Sequence, residues 1–156
     1  MKDVRRATPE DAEALAMLRF EFRSSLESAT ESRSEFLARC AAWMRSRLSD
    51  EGSWHCWVAE GGAGILGHAW LELVEKIPNP VGEPERHAYL TNVYVRPGHR
   101  GQGWGDALVR AALWWCREQG VDSVFLWPTE KSRTLYGRHG FAPAGEIMEA
   151  RLSPRG

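Results

Sequence analysis

A chain of 156 residues fits one domain, spanning residues 1–156, with room for a buried core. Charged residues make up 26% and apolar ones 43%, the balance of a soluble globular protein, and the net charge of −1 leaves no basic footprint for nucleic acid. No apolar run approaches the ~18 residues of a membrane span, and the opening MKDVRRATPEDAEAL lacks the apolar core of a signal peptide. Three widely spaced cysteines, Cys40, Cys56 and Cys116, form no metal-type pair and leave at least one thiol unpaired in a monomer. The expected setting is therefore the cytoplasm, away from any membrane.

In chain order, Lys2 to Arg6 is a short candidate strand. Thr8-Pro9-Glu10-Asp11 is a helix start, with Thr8 as cap, Pro9 at the first helical position and acids in the first turn. Ala12, Leu15, Leu18, Arg19 and Phe22 then mark one mainly apolar helical face. The polar stretch Leu26–Ser34 reads as a loop. A second helix follows to about Leu48, with Phe36, Leu37, Cys40, Trp43, Met44 and Leu48 as its stripe. Trp54–Glu60 and Ile65–Glu75 are strands joined by Gly61-Gly62-Ala63-Gly64, a hairpin signal. IPNPVGEPE, residues 77–85, holds three prolines and is a loop.

Residues 90–120 concentrate the chemistry. Leu90, Val93, Tyr94 and Val95 belong to a strand over Arg86–Val95, ended by Pro97 and Gly98. Arg100-Gly101-Gln102-Gly103-Trp104-Gly105 comes next, then a helix with Leu108, Ala111, Ala112 and Trp115 on one face, stopped at Gly120. Strand, glycine turn and helix N-terminus together make an anion site: backbone N–H groups converge there, and Arg100 adds a charge-assisted donor. A P-loop fails because Trp104, not Lys, follows Gly103. A dinucleotide fingerprint fails because Asp106 stands where a third small residue is needed. Downstream, Ser123–Trp127 is a short strand, parallel to the one before the glycines by the crossover rule. Ser132–His139 is a short helix, and Phe141–Leu152 supplies a last strand or hairpin.

The pattern Arg-x-x-Gly-x-Gly, with Arg100, Gly103 and Gly105 in place after Val93-Tyr94-Val95-Arg96-Pro97, resembles the acyl-CoA-binding motif of the GNAT-type N-acetyltransferase superfamily. Leu135-Tyr136-Gly137-Arg138-His139-Gly140-Phe141 resembles that family's Leu-Tyr-x-x-x-Gly-Phe block. The resemblance implies an α/β, GNAT-like fold: a mixed central sheet flanked by helices, with the strand–glycine loop–helix unit as cofactor site. It implies acetyl-CoA as cosubstrate and no metal. The backbone of Val93, Tyr94 and Val95 would meet the pantetheine arm, and Arg100, Gly101, Gln102, Gly103, Trp104 and Gly105 the pyrophosphate. Tyr136 matches the family tyrosine that protonates the departing thiolate, a sensible role for a phenol of pKa about 10.

Two departures stand out. Many members carry an asparagine where Thr129 stands, so a CoA contact from Thr129 would be a hydroxyl's. The usual base on the strand before the glycines is missing, since Tyr89 and Thr91 occupy the matching positions. Glu72, Glu83, Glu85 and His87 are the remaining candidates, with Glu72 the best placed, flanked as it is by Leu71 and Leu73, and a water relay with no side-chain base is the alternative. The function implied is acetyl transfer to a primary amine, on a small molecule or a peptide. The rival is a CoA-binding sensor or interaction module of the same fold, and a homodimer is compatible with the eight tryptophans. Glu27, Glu31, Glu72, Glu75, Glu83 and Glu85, on segments the family places around the acceptor mouth, point to a cationic amine.

Overall fold

A computed structural model describes residues 2–154. Strand β1 (Asp3–Arg6) leads through a 3-10 turn at Pro9–Asp11 into helix α1 (Ala12–Leu26), and α2 (Arg33–Ser49) follows. Three strands come next, β2 (Trp54–Gly61), β3 (Gly64–Glu75) and β4 (Arg86–Val95). Helix α3 (Trp104–Glu118), strand β5 (Ser123–Phe125) and helix α4 (Arg133–Arg138) complete the order. The sheet runs β1-β2-β3-β4-β5, antiparallel as far as β4, with β4 and β5 parallel across the α3 crossover. This is the mixed sheet the sequence implies.

Period-two alternation divides the sheet into two cores. Cys56, Val58 and Trp70 face one side, where Ala12, Leu15 and Ala16 of α1 and Ala41 and Met44 of α2 cover them. Trp57, Ala59, Ala69, Leu71, Ala88 and Leu90 face the other, under Leu108, Val109, Ala112 and Leu113 of α3. Among the described residues no helix is long and apolar enough to cross a membrane.

The strand expected over Phe141–Leu152 does not form; residues 141–154 carry a turn at Gly145 and Glu146 and a bend at Ser153. Pro143 removes a ladder donor, and β5, only three residues long, offers little edge to extend. Ile147, Met148 and Leu152 are left exposed.

β3 and β4 approach closely at Gly67, where a Cβ would lie 2.8 Å from the Tyr94 carbonyl oxygen and 3.2 Å from Val95 Cγ2. Because the first obstacle is backbone, only strand movement can relieve it. Gly67→Ala is therefore expected to destabilise the fold by about 1–3 kcal/mol, read as a lower urea midpoint. An unchanged midpoint would mean that this contact yields freely.

Candidate active site

The site begins where β4 and β5 part. Their pairing consists of His87–Ser123, Ala88–Val124 and Tyr89–Phe125, and ends there. From Leu90 to Val95, β4 keeps β3 on one edge, while its other edge faces a cleft of about 1210 Å3 walled opposite by Leu126, Trp127 and Thr129. A row of main-chain donors and acceptors is thus presented to the cleft.

A bulge shapes this stretch. Trp70 pairs with Thr91 and His68 with Tyr94, so Asn92 and Val93 together oppose one residue of β3. Asn92 takes φ 55°, a left-handed conformation that asparagine tolerates better than most residues. The extra residue reverses the alternation. Ala88 and Leu90 face α3 before it, and Val93 and Val95 do so after it, packed as core. Tyr89, Thr91, Asn92 and Tyr94 are thereby directed to the α1 side.

Three contacts fasten α1 over this strand. Arg96 donates to both carboxylate oxygens of Glu21 at 3.0 Å, Phe22 stacks on Tyr94 with ring centroids 5.1 Å apart, and Arg19 Nη1 donates to Asn92 Oδ1 at 3.0 Å. Beneath them His68 is fully buried. Burial pushes its pKa down to about 3, with the Arg19 cation acting in the same direction.

At the cleft's other end Gly101 (φ 72°) and Gly103 (φ 84°) both use left-handed backbone, and Gly103 caps α3. The first α3 bond runs from the Ala107 N–H to the Gly103 carbonyl, leaving the preceding N–H groups of the first turn for an anion. Arg100 lines the cleft, its Nε donating to the Val95 carbonyl at 2.8 Å and its guanidinium lying 5.4 Å from the Tyr94 ring centre. Trp104 lies under the Lys2 ammonium at 4.8 Å. Gln102 turns its amide back to Gly98 and does not line the cleft.

The same helix end positions Tyr136. Asp106 accepts from Arg138 Nε and Nη2 at 3.1 and 3.0 Å and pairs with His139 Nε2 at 2.9 Å, tying α4 to α3. The Arg138 bonds hold the Asp106 carboxyl below its usual range, so it stays ionised, with its charge offset by the paired guanidinium. At Gly105 a Cβ would lie 3.3 Å from Leu135 Cδ2, so the absence of a side chain allows α4 its close seat. Tyr136 lines the cleft with its ring edge against Phe141, centroids 5.6 Å apart. Burial pushes its phenol up to about 12, with Tyr89 adding to the effect. Thr129 lines the cleft as well, but its hydroxyl and N–H lie 3.0 and 2.8 Å from Ser132 Oγ, capping the turn that leads into α4.

Glu72 stands apart. It is half-buried, pairs in register with Trp54 and Tyr89, accepts from Ser53 Oγ at 3.4 Å, and lines neither this cleft nor its neighbour. The other five glutamates expected at the acceptor mouth are also absent from both linings; Glu31 pairs with Arg39, and Glu83 with Lys76 and Asn79. A second cavity of about 580 Å3 adjoins the cleft and shares Arg19, Tyr89, Thr91 and Asn92 with it. Arg19, Asn92 and Trp127 are among the lining residues that the sequence reading did not place at the site. For the bulge at Asn92 the sequence carries no signal of its own, because its φ is set by pairing with β3.

Residues 14–141 match the model of the acetyltransferase (GNAT) family, and the chain belongs to it. N-acetyltransferase 8B of Rattus norvegicus is 34% identical over 111 residues, covering 69% of this chain and 48% of that protein. N-acetyltransferase 8 of the same organism is 37% identical over 105 residues, covering 65% and 45%. The chain thus spans about half the length of these relatives. Among solved structures, a GCN5-related N-acetyltransferase from Ralstonia eutropha JMP134 is 27% identical with TM-score 0.75, covering 98% of this chain and 100% of that one. A predicted acetyltransferase from Clostridium acetobutylicum, crystallised with acetyl-CoA, shares the fold at TM-score 0.77 and 22% identity, over 97% of each chain.

Two outcomes follow from this geometry. Gly103→Val needs a branched residue at positive φ with its Cβ 3.2 Å from Lys2 Cε, beside the anion-facing N–H groups. It should abolish acetyl-CoA binding in calorimetry while circular dichroism stays native; unchanged affinity would remove the loop from the site. His68 gives a pH signature. Unfolded histidine titrates near 6.5 and the folded one near 3, so its contribution is whole above pH 6.5 and declines as pH falls below it. The slope rises toward a limit of roughly 1.4 kcal/mol per pH unit as pH falls well below 6.5, and His68→Gln should flatten the urea midpoint between pH 6.5 and 5.

Proposed function

We propose that this chain transfers an acetyl group from acetyl-CoA to a primary amine by direct attack, without a covalent enzyme intermediate. The observation that carries the reading is the unpaired edge of β4, which ends beside a glycine loop at a helix N-terminus and has Tyr136 among the cleft residues. Acetyl-CoA, when bound, supplies an activated thioester carbonyl. The main chain of Val93–Val95 offers the hydrogen bonds an extended pantetheine arm needs, including an N–H for the carbonyl oxygen as charge develops on it. Arg100 and the amides of Gly101–Gly105 supply the anion site.

Tyr136 holds its proton throughout the neutral range, since its pKa is raised to about 12. A thiol is the stronger acid, with a reference value near 8.5. The phenol therefore serves the departing sulfur by hydrogen-bond donation and by passing on a proton that the attacking amine gives up. Glu72, outside the lining, would act as base only through water that reaches it beside Ser53.

Tyr136→Phe is expected to lower kcat by about 10²–10⁴-fold with unchanged acetyl-CoA affinity, because the hydroxyl acts only as sulfur gains charge. Steady-state thiol release together with calorimetry reads both quantities. Wild-type turnover would reduce Tyr136 to packing against Phe141. Tight acetyl-CoA binding with no thiol release on any amine would favour the sensor reading.

A further inference from the structure

The second cavity carries a charge and an aromatic wall that the acetyl-donor cleft does not account for. Trp43, Trp54 and Trp70 line it, with centroid separations of 5.3 Å for Trp43–Trp54, 5.7 Å for Trp43–Trp70 and 6.3 Å for Trp54–Trp70. The indoles meet edge-on or tilted, and such an aromatic wall suits a flat apolar body. The lining contains no carboxylate. Of its two cations, Arg39 is already paired with Glu31. Arg19 is half-buried and, among the described residues, has no carboxylate partner, only the neutral amide of Asn92. A guanidinium withdrawn from water without a counter-charge is costly, and an incoming anion would offset that cost.

Position makes the chemistry more specific. Arg19 and Asn92 border both cavities, so they stand at the junction an attacking amine must occupy to reach the β4 edge. We propose that the acceptor is an α-amino acid with a bulky aromatic side chain: its carboxylate pairs with Arg19, its side chain enters the tryptophan cavity, and its amine faces the cleft. This rests on the acetyl-transfer reading above and gives it a substrate class, in place of the cationic amine that the glutamates suggested. In the transfer the amine nitrogen forms a bond to the acetyl carbonyl carbon and the carbon–sulfur bond breaks. The amine loses one proton, and sulfur gains one as it leaves as free thiol.

The test is thiol release from acetyl-CoA with phenylalanine, phenylalaninamide, alanine and spermidine. The amide has the less basic amine, so more of it is neutral and chemistry alone favours it. A preference for phenylalanine over the amide of about tenfold or more, as a charge-assisted bond supplies, and over alanine and spermidine, is the expected result. Arg19→Gln should remove the acid-over-amide preference, whereas mere damage to the fold would lower both rates together. Trp43→Ala, at a residue 38% exposed, should lower the phenylalanine-over-alanine ratio and spare the acid-over-amide ratio. Turnover led by spermidine or the amide, or an acid-over-amide ratio unmoved in Arg19→Gln, would overturn the substrate class and leave acetyl transfer standing. Thiol release with none of the four would overturn the class, and failure to bind acetyl-CoA would overturn the transferase reading with it.

Discussion

The site depends on the parting of two parallel strands. Main-chain N–H and C=O groups need partners, and a sheet satisfies them by continuing. Here β5 stops at Phe125 and Pro128 follows soon after, a residue with no N–H to give to a ladder. β4 continues for six more residues with one edge toward the cleft. That edge is an incomplete sheet, and in the proposed reading an extended ligand rich in amide groups would complete it as a strand would.

The bulge at Asn92 joins this edge to the rest of the molecule. By reversing the alternation it buries Val93 and Val95 under α3 and directs Tyr89, Thr91 and Tyr94 toward α1. One residue at positive φ therefore yields a strand whose side chains support the core and line the second cavity, while its main chain borders the first cleft. The ties at Arg19, Glu21 and Phe22 hold α1 at that junction, and Asp106 holds α4 to α3 on the far side. Glycine fits both ends of this scheme, through left-handed backbone at Gly101 and Gly103 and through close approach at Gly67 and Gly105.

Much of this was legible in the sequence because its signals are local. Glycines alternating at a helix start, prolines ending strands and a 3.6-residue stripe on α3 each act within a few residues, and the strand–turn–helix unit stands where they imply. The bulge was not legible, since an asparagine inside a strand pattern has no period of its own and its φ is set by pairing with β3. Arg19 interrupts an otherwise apolar helical face, and only the third dimension shows it held by Asn92 with no carboxylate partner among the described residues. Counting glutamates along segments did not predict what lines the cavities, because a count of charge carries no direction: Glu31 and Glu83 turn to surface partners while Arg19 faces inward. The missing C-terminal strand is the same lesson in backbone form, since an apolar run needs an edge to pair with.

Hydrogen–deuterium exchange with and without acetyl-CoA tests the central claim that main chain holds the donor. Saturation should slow exchange at the cleft-facing amides between Leu90 and Val95 and at those of Gly101–Asp106, while the amides of residues 147–152 stay unchanged. Binding with protection elsewhere and none on these two segments would contradict the account.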